Sequence, residues 1–170
     1  NKVLVRKAQK GGAEVWSYNC VGYTQLGPIW FTDYPLINFR IQAGCMNARA
    51  GLTGLLYWQL DYYEFGNPWD KAVGFQADKK ELFKGDGQMM YPGRDAGYPG
   101  MALPSLRMKA LRDGMDDYDY YALLCKAGLK EWALEQIARA SFDFYTWSPD
   151  PAVLEDVRLK LGQKLDALGA

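Results

Sequence analysis

The side chains in this sequence best suited to hold a ligand are aromatic rings standing beside a few polar groups: Tyr18, Tyr57, Trp58, Asp61, Tyr63, Trp69, Asp70 and Tyr91. A flat ring stacks on the apolar face of a pyranose while neighbouring polar tips bond its hydroxyls, so the combination is that of a sugar pocket. Aromatic residues make up 15% of the chain, with six Trp and twelve Tyr, an excess that asks for an account. Taken one ring at a time, packing of strand against helix is the simpler account. The Trp58, Asp61 and Trp69 cluster taken together favours a ligand.

Other chemistries are narrowed by what is missing. The chain has no histidine, so neither a Ser-His-Asp nor a Cys-His arrangement, nor an imidazole metal site, can be built from it. Cys20, Cys45 and Cys125 are widely spaced and odd in number, which reads as buried free thiols rather than a disulfide framework or a metal cluster. No metal site and no cofactor is expected. Glycosidic cleavage normally uses two carboxylates. Asp113 and Asp117, with Asp116 and Asp119, and Glu131 with Glu135, fall at helical spacing and read as solvated helix faces. Asp61 and Asp70 are the acids expected at a strand end, suited to binding hydroxyls rather than to acting as acid and nucleophile.

The elements that must position these residues follow from periodicity and punctuation. Residues 1–10 read as the end of a basic helix that began upstream, stopped by Gly11-Gly12. Ala13 to Val21 reads as a strand, and Tyr23 to Tyr34 as a loop. Leu36, Phe39, Ala43 and Met46 predict a helix over Pro35 to Arg49, stopped by Gly51. Leu52 to Tyr63 reads as a buried strand with its polar residues towards the C-terminal end, completing a parallel strand-helix-strand unit. A long loop over Glu64 to Gly87, a short strand over Gln88 to Tyr91 and a loop over Asp95 to Pro104 follow. Helices are expected over Ser105 to Lys126, Lys130 to Phe144 and Pro151 to Leu168, the last capped by Asp150. Gly114 inside the first of these implies a close packing contact. Ligands of parallel α/β folds bind at the C-terminal ends of strands, which is where Tyr18, the Tyr57 to Tyr63 group and Tyr91 are expected.

At 170 residues the chain can bury a real core, and 49% hydrophobic with 24% charged residues is an ordinary globular balance. Twenty basic and twenty acidic side chains cancel, leaving no basic field for nucleic acid or an anionic membrane. The longest apolar runs fall far short of the ~20 residues a membrane span needs. Neither nucleic acid nor a membrane is expected as a partner, and nothing at the start resembles a signal peptide.

Several segments in order match a known pattern. They are Glu14 to Cys20 (EVWSYNC), Gly54 to Tyr63 (GLLYWQLDYY), Asn67 to Asp70 (NPWD), Asp86 to Gly93 (DGQMMYPG), and Pro104 to Arg107 leading to Asp117-Tyr118-Asp119-Tyr120. Together they resemble the C-terminal half of the family 123 glycoside hydrolases and the wider set of related catalytic domains, over roughly residues 10 to 126. The resemblance implies an α/β fold: a partial TIM-like (β/α) barrel comprising C-terminal strands and helices, with extra C-terminal helices. Residues 1–126 would be the C-terminal part of the barrel domain and 127–170 a helical extension of the same domain.

The resemblance also implies removal of N-acetylgalactosamine, or cleavage of N-acetylhexosamine-containing glycans more broadly, by substrate-assisted chemistry. The sugar's acetamido oxygen attacks C1, an Asp steadies the acetamido group and an adjacent Glu protonates the leaving oxygen. No Asp-Glu dipeptide occurs in this sequence, so the catalytic pair is expected upstream and the chain alone is expected to be inactive. Carry-over is limited to binding positions: Tyr57-Trp58 at a strand end, Asp61 where Asn is more usual, Tyr63 where Trp is more usual, Trp69-Asp70 on a loop and Tyr91-Pro92-Gly93. Arg107 and Arg112 match helix positions read as structural ion pairs. The implied partners are a carbohydrate substrate and the remainder of the barrel. Localisation is left open, a secreted or periplasmic setting suiting such a parent. The alternatives are a non-catalytic carbohydrate-binding relative and a structural α/β domain whose aromatics are all core.

Overall fold

The computed structural model describes residues 2–20, 27–64, 66–70 and 83–169. Residues 21–26 of the expected first strand and loop, and 65 and 71–82 of the expected long loop, lie outside the described residues. The elements are α1 (Lys2–Lys10), β1 (Trp16–Asn19), α2 (Ile37–Ile41), a π-helical turn (Gln42–Met46), α3 (Asn47–Ala50), β2 (Gly54–Tyr57), β3 (Met90–Pro92), a 3₁₀ turn (Gly93–Ala96), β4 (Ala102–Pro104), α4 (Leu106–Lys126), α5 (Lys130–Ile137) and α6 (Pro151–Asp166). The fold is mixed α/β.

The strand-helix-strand unit forms as its spacing predicts. β1 and β2 pair in parallel, with Trp16 opposite Gly54 and Tyr18 opposite Leu56. Both strands are shorter than the apolar runs that contain them. The second leaves the ladder after Tyr57 because its backbone finds other partners: the Leu60 carbonyl accepts from Met89 N–H at 2.8 Å, and Tyr62 N–H donates to the Gly87 carbonyl at 2.8 Å. Asp61 then meets Gln88 in an isolated antiparallel bridge.

Alternation along β1 buries Ser17 and Asn19 on the helix side and leaves Trp16 and Tyr18 more than half exposed on the other. Leu56 of β2 is exposed beside them. Gly54 makes room for the Trp16 ring, since a Cβ there would sit 2.5 Å from Trp16 Cδ2.

The third expected parallel strand is not found. β3 pairs antiparallel with β4, Tyr91 opposite Leu103, in a hairpin that runs through the 3₁₀ turn. Pro92 has no N–H to extend a ladder, and Gly93 N–H donates to the Met101 carbonyl at 2.8 Å, which folds the chain back. The stretch from Asp95 to Pro104, expected as loop, therefore ends in β4. Among the described residues the strands make two two-stranded sheets and no closed barrel.

The helix predicted over Pro35 to Arg49 runs from Ile37 to Ala50, with its middle turn widened to π geometry and its end set by Gly51 in the left-handed region (φ 65°). The widened turn packs on α4 through two glycines. A Cβ on Gly44 would lie 2.8 Å from the Gly114 carbonyl oxygen, and one on Gly114 would lie 2.3 Å from the Arg40 carbonyl oxygen. Gly114 thus has the close contact its place in the sequence implied. α4 starts at Ser105, whose Oγ accepts from Met108 N–H, and α6 starts at Asp150, whose carboxylate accepts from Ala152 N–H. α5 stops at Ile137, short of the expected Phe144. Asp143 accepts from the Tyr145 and Thr146 amides at 2.8 and 2.9 Å, a local turn that competes with helix.

Two apolar clusters hold these layers together. Trp30, Phe39, Ala43, Met89 and Leu111 pack under the sheet, with Leu55 and Tyr57 against them. Ile41, Met46, Tyr121 and Leu124 meet Ala133 and Ile137 of α5 and Leu154, Val157, Leu161 and Leu165 of α6 in the second. Cys45 is buried in that cluster, while Cys20 and Cys125 are half-buried, all three as free thiols.

The carboxylates of α4 do not form the wholly solvated face their spacing predicts. Asp117 is 4% exposed and accepts from Arg40 Nε at 2.7 Å, Arg40 Nη2 at 3.1 Å and Arg158 Nη1 at 3.2 Å. Arg40 also pairs with Glu155. The acidic spacing looked like surface because its cations come from α2 and α6, far away in sequence.

Candidate functional site

Beyond β2 the chain makes a tight turn at Gly85-Asp86-Gly87, where both glycines have positive φ (72° and 75°). That conformation carries Asp86 inward, and its side chain is fully buried. Each carboxylate oxygen takes a different donor: Tyr57 hydroxyl to Oδ1 at 2.8 Å and the Trp58 indole N–H to Oδ2 at 3.0 Å. The Tyr57 oxygen in turn accepts from Gly87 N–H at 2.7 Å. Arg107, buried at the start of α4, donates to the Gly85 carbonyl at 2.6 Å and to the Gln88 carbonyl. Arg107 is therefore not the ion pair expected of it. It clamps the turn through backbone oxygens. Arg112 does pair, with its neighbour Asp113 at the surface.

Asp86 is the acid that sequence reading missed when it took Asp61 and Asp70 as the acids of the strand ends. The signal was available in the two glycines flanking it. Burial pushes its carboxyl up to about 6, against the hydrogen bonds from Tyr57 and Trp58 and the charge of Arg107, which pull it down. Because the folded value lies above the unfolded one near 4, folding takes up a proton between pH 4 and 6, and this group's contribution to stability falls as pH rises through that window. Lowering the pH from 7 to 5 should stabilise the wild-type protein relative to Asp86→Asn by about 1 kcal/mol in urea unfolding. Parallel stability curves for the two proteins would show that Asp86 is not held in a dry site.

The remaining residues predicted from sequence fall into distinct places. Tyr57 has its ring against Trp30 (centroids 5.3 Å apart) and its hydroxyl on Asp86 and Gly87, so it faces the core rather than solvent. Trp58 lies against Tyr62, centroids 4.9 Å apart, with Gly87 beneath its ring edge. Trp69 is 45% exposed; its indole N–H donates to the Pro92 carbonyl at 2.8 Å and its ring meets Tyr91 edge-on at 5.0 Å. The loop carrying it is tied down by Asn67, which accepts from Trp69 N–H and donates to Asp95 at 2.6 Å. Tyr63 donates from its hydroxyl to the Met90 carbonyl. Asp61 is exposed and accepts from Gln59 Nε2 at 3.2 Å, and Asp70 is exposed on the loop.

Trp69, Tyr63 and Tyr91 thus converge on the β3–β4 hairpin, and Tyr57 and Trp58 converge on Asp86 two residues before Gln88, which bridges to Asp61. Tyr18 stands apart on the exposed sheet face; burial, then Cys20, and last the Asp86 charge raise its hydroxyl above the usual tyrosine range.

A cleft of about 670 Å³ runs along the β1 edge, lined by Trp16, Tyr18, Asn19, Gln42 and residues of α1 and 142–145. It includes Tyr18 but none of the other predicted site residues. Its position beside the open edge of a strand, with Ser17 Oγ and Asn19 Oδ1 buried and lacking partners there, makes it a place for packing rather than for the aromatic wall. Among the described residues no group of acids and cysteines is placed to hold a metal ion, and no helix is long and apolar enough to cross a membrane.

Comparison with curated proteins gives no match. The family model described as glycoside hydrolase 123, catalytic domain, matches residues 1–124, which takes in β1, β2, the Asp86 turn, the hairpin and nearly all of α4. The chain therefore belongs to the glycoside hydrolase 123 catalytic-domain family.

Proposed function

We propose that this chain is the C-terminal part of a (β/α) barrel glycoside hydrolase acting on N-acetylhexosamine-containing glycans, N-acetylgalactosamine among them, and that it supplies sugar-binding residues of the pocket. The observation that carries the reading is the aromatic wall itself, Trp58 and Trp69 fixed by hydrogen bonds at and beyond the end of β2, in a chain of this family. Trp69 offers an open ring for stacking, and the exposed Asp61 and Asp70 are acceptors for hydroxyls. Tyr91 and Tyr63 brace the wall, and Tyr18 adds a ring from β1.

In this reading the sugar's acetamido oxygen attacks C1, and the Asp-Glu pair that steadies it and protonates the leaving oxygen is supplied from outside this chain. The remainder of the barrel would cover the exposed Trp16, Tyr18 and Leu56 face and fill the cleft along the β1 edge. Residues 127–170 extend the same domain, since Leu154, Val157, Leu161 and Leu165 share one core with Ile41 and Met46.

Trp69→Ala in the full-length enzyme should raise KM by about tenfold or more with little change in kcat, because a stacking face acts on substrate and transition state alike. A folded Trp69→Ala protein with wild-type KM would remove this ring from the pocket.

A further inference from the structure

The buried Asp86 makes no ion pair among the described residues, and that is an expensive way to build a turn. An uncompensated buried carboxylate lowers stability unless its oxygens are well bonded, and an apolar residue of similar size is often the more stable choice. What the carboxylate does provide is geometry. Its two oxygens are spoken for by Tyr57 and Trp58. With no exposed surface and both oxygens engaged, Asp86 cannot reach a leaving group to protonate it.

We propose that Asp86 is a positioning residue for sugar recognition: by accepting the indole N–H it fixes the Trp58 ring, which follows the last residue of β2, as a preformed face for the sugar. This rests on the reading of Trp58 as part of the sugar-binding wall. A tryptophan just past the end of a strand has two side-chain torsions to lose on binding, and a ring already held is a better binding face than one that must be ordered. Three contacts hold this one. Asp86 takes its N–H, Tyr62 lies against its face, and Gly87, where a Cβ would come within 2.6 Å of Cζ2, lets the backbone pass directly beneath its edge. The turn that carries both Asp86 and Gly87 is itself clamped to α4 by Arg107. Asp86 therefore acts on sugar through Trp58 and not by contact.

The test uses the full-length enzyme with 4-nitrophenyl N-acetylgalactosaminide, comparing wild type, Asp86→Asn, Trp58→Phe and the double variant. Loss of the fixed N–H bond should raise KM about tenfold in Asp86→Asn, with kcat within about threefold, and alter the near-ultraviolet tryptophan dichroism. Trp58→Phe keeps a ring but has no N–H to offer. It should show a comparable rise in KM, and adding Asp86→Asn to it should raise KM no further. An Asp86→Asn effect that persists in full on the Trp58→Phe background overturns the proposal. Should Asp86→Asn fail to fold, Trp58→Phe decides alone, an unchanged KM overturning it. Wild-type enzyme that neither cleaves nor binds the glycoside would instead defeat the glycosidase reading before any variant is made.

Discussion

Expressed alone, the 170-residue chain is expected to leave 4-nitrophenyl N-acetylgalactosaminide intact, while the full-length protein cleaves it. A carboxylic acid placed to protonate the leaving oxygen contributes roughly 10²–10⁴ in rate, and substrate assistance does not replace it. The described acids nearest the aromatic wall are unsuited to that task. Asp86 is buried with both oxygens occupied, and Asp61 and Asp70 stand in solvent rather than in a dry pocket. Asp117 is committed to Arg40 and Arg158 on the helix side. The fold gives a second reason, since two parallel strands with Trp16, Tyr18 and Leu56 exposed do not enclose a substrate. Turnover by the isolated chain that vanished in Asp61→Asn or Asp70→Asn would show that the proton donor lies here after all.

Replacing Arg40 by Ala should produce the largest loss of stability of any single surface-to-core substitution considered, about 3 kcal/mol. Arg40 from α2 grips Asp117 of α4 with Nε and Nη2, and Arg158 of α6 holds the same carboxylate. The Asp117 side chain is 3% exposed, so removing its main partner leaves a buried charge. Burial already pushes the Asp117 carboxyl above its ordinary value even with both arginines pulling it down. Breaking one side of such a pair costs more than the pair contributes, typically about 3–5 kcal/mol, and the remaining Arg158 sets the expectation at the lower end. Replacing both partners by apolar residues, Arg40→Met with Asp117→Leu, should recover much of the loss. Equilibrium urea unfolding measures both. A cost below about 1 kcal/mol for Arg40→Ala would mean that solvent reaches this carboxylate.

Much of this was legible in the sequence for identifiable reasons. The parallel unit was, because Leu36, Phe39, Ala43 and Met46 share a helical period between two aromatic-rich runs. The packing role of Gly114 was, because a glycine inside a strongly periodic helix needs a close neighbour. The caps at Ser105 and Asp150 follow from residue type and place. The hairpin was missed because Ala102 to Pro104 is short and punctuated by glycine and proline, so nothing local distinguishes a strand from a loop. Asp117 and Asp86 were misjudged for one physical reason. Whether a carboxylate is solvated depends on partners distant in sequence, Arg40 and Arg158 in one case and Tyr57 and Trp58 in the other. Spacing along one helix or one loop cannot report them. Arg107 was misassigned likewise, its partners being carbonyls that carry no sequence signature.

The aromatic wall is tested most directly by fluorine NMR of the full-length protein labelled with 5-fluorotryptophan and titrated with N-acetylgalactosamine, each resonance being assigned by Trp→Phe substitution. Trp58 and Trp69 should shift on saturation, while Trp30, fully buried against Phe39, and Trp132 beside Lys164 should not. Sugar binding that leaves Trp58 and Trp69 unmoved and shifts other resonances would place the pocket elsewhere and contradict the account.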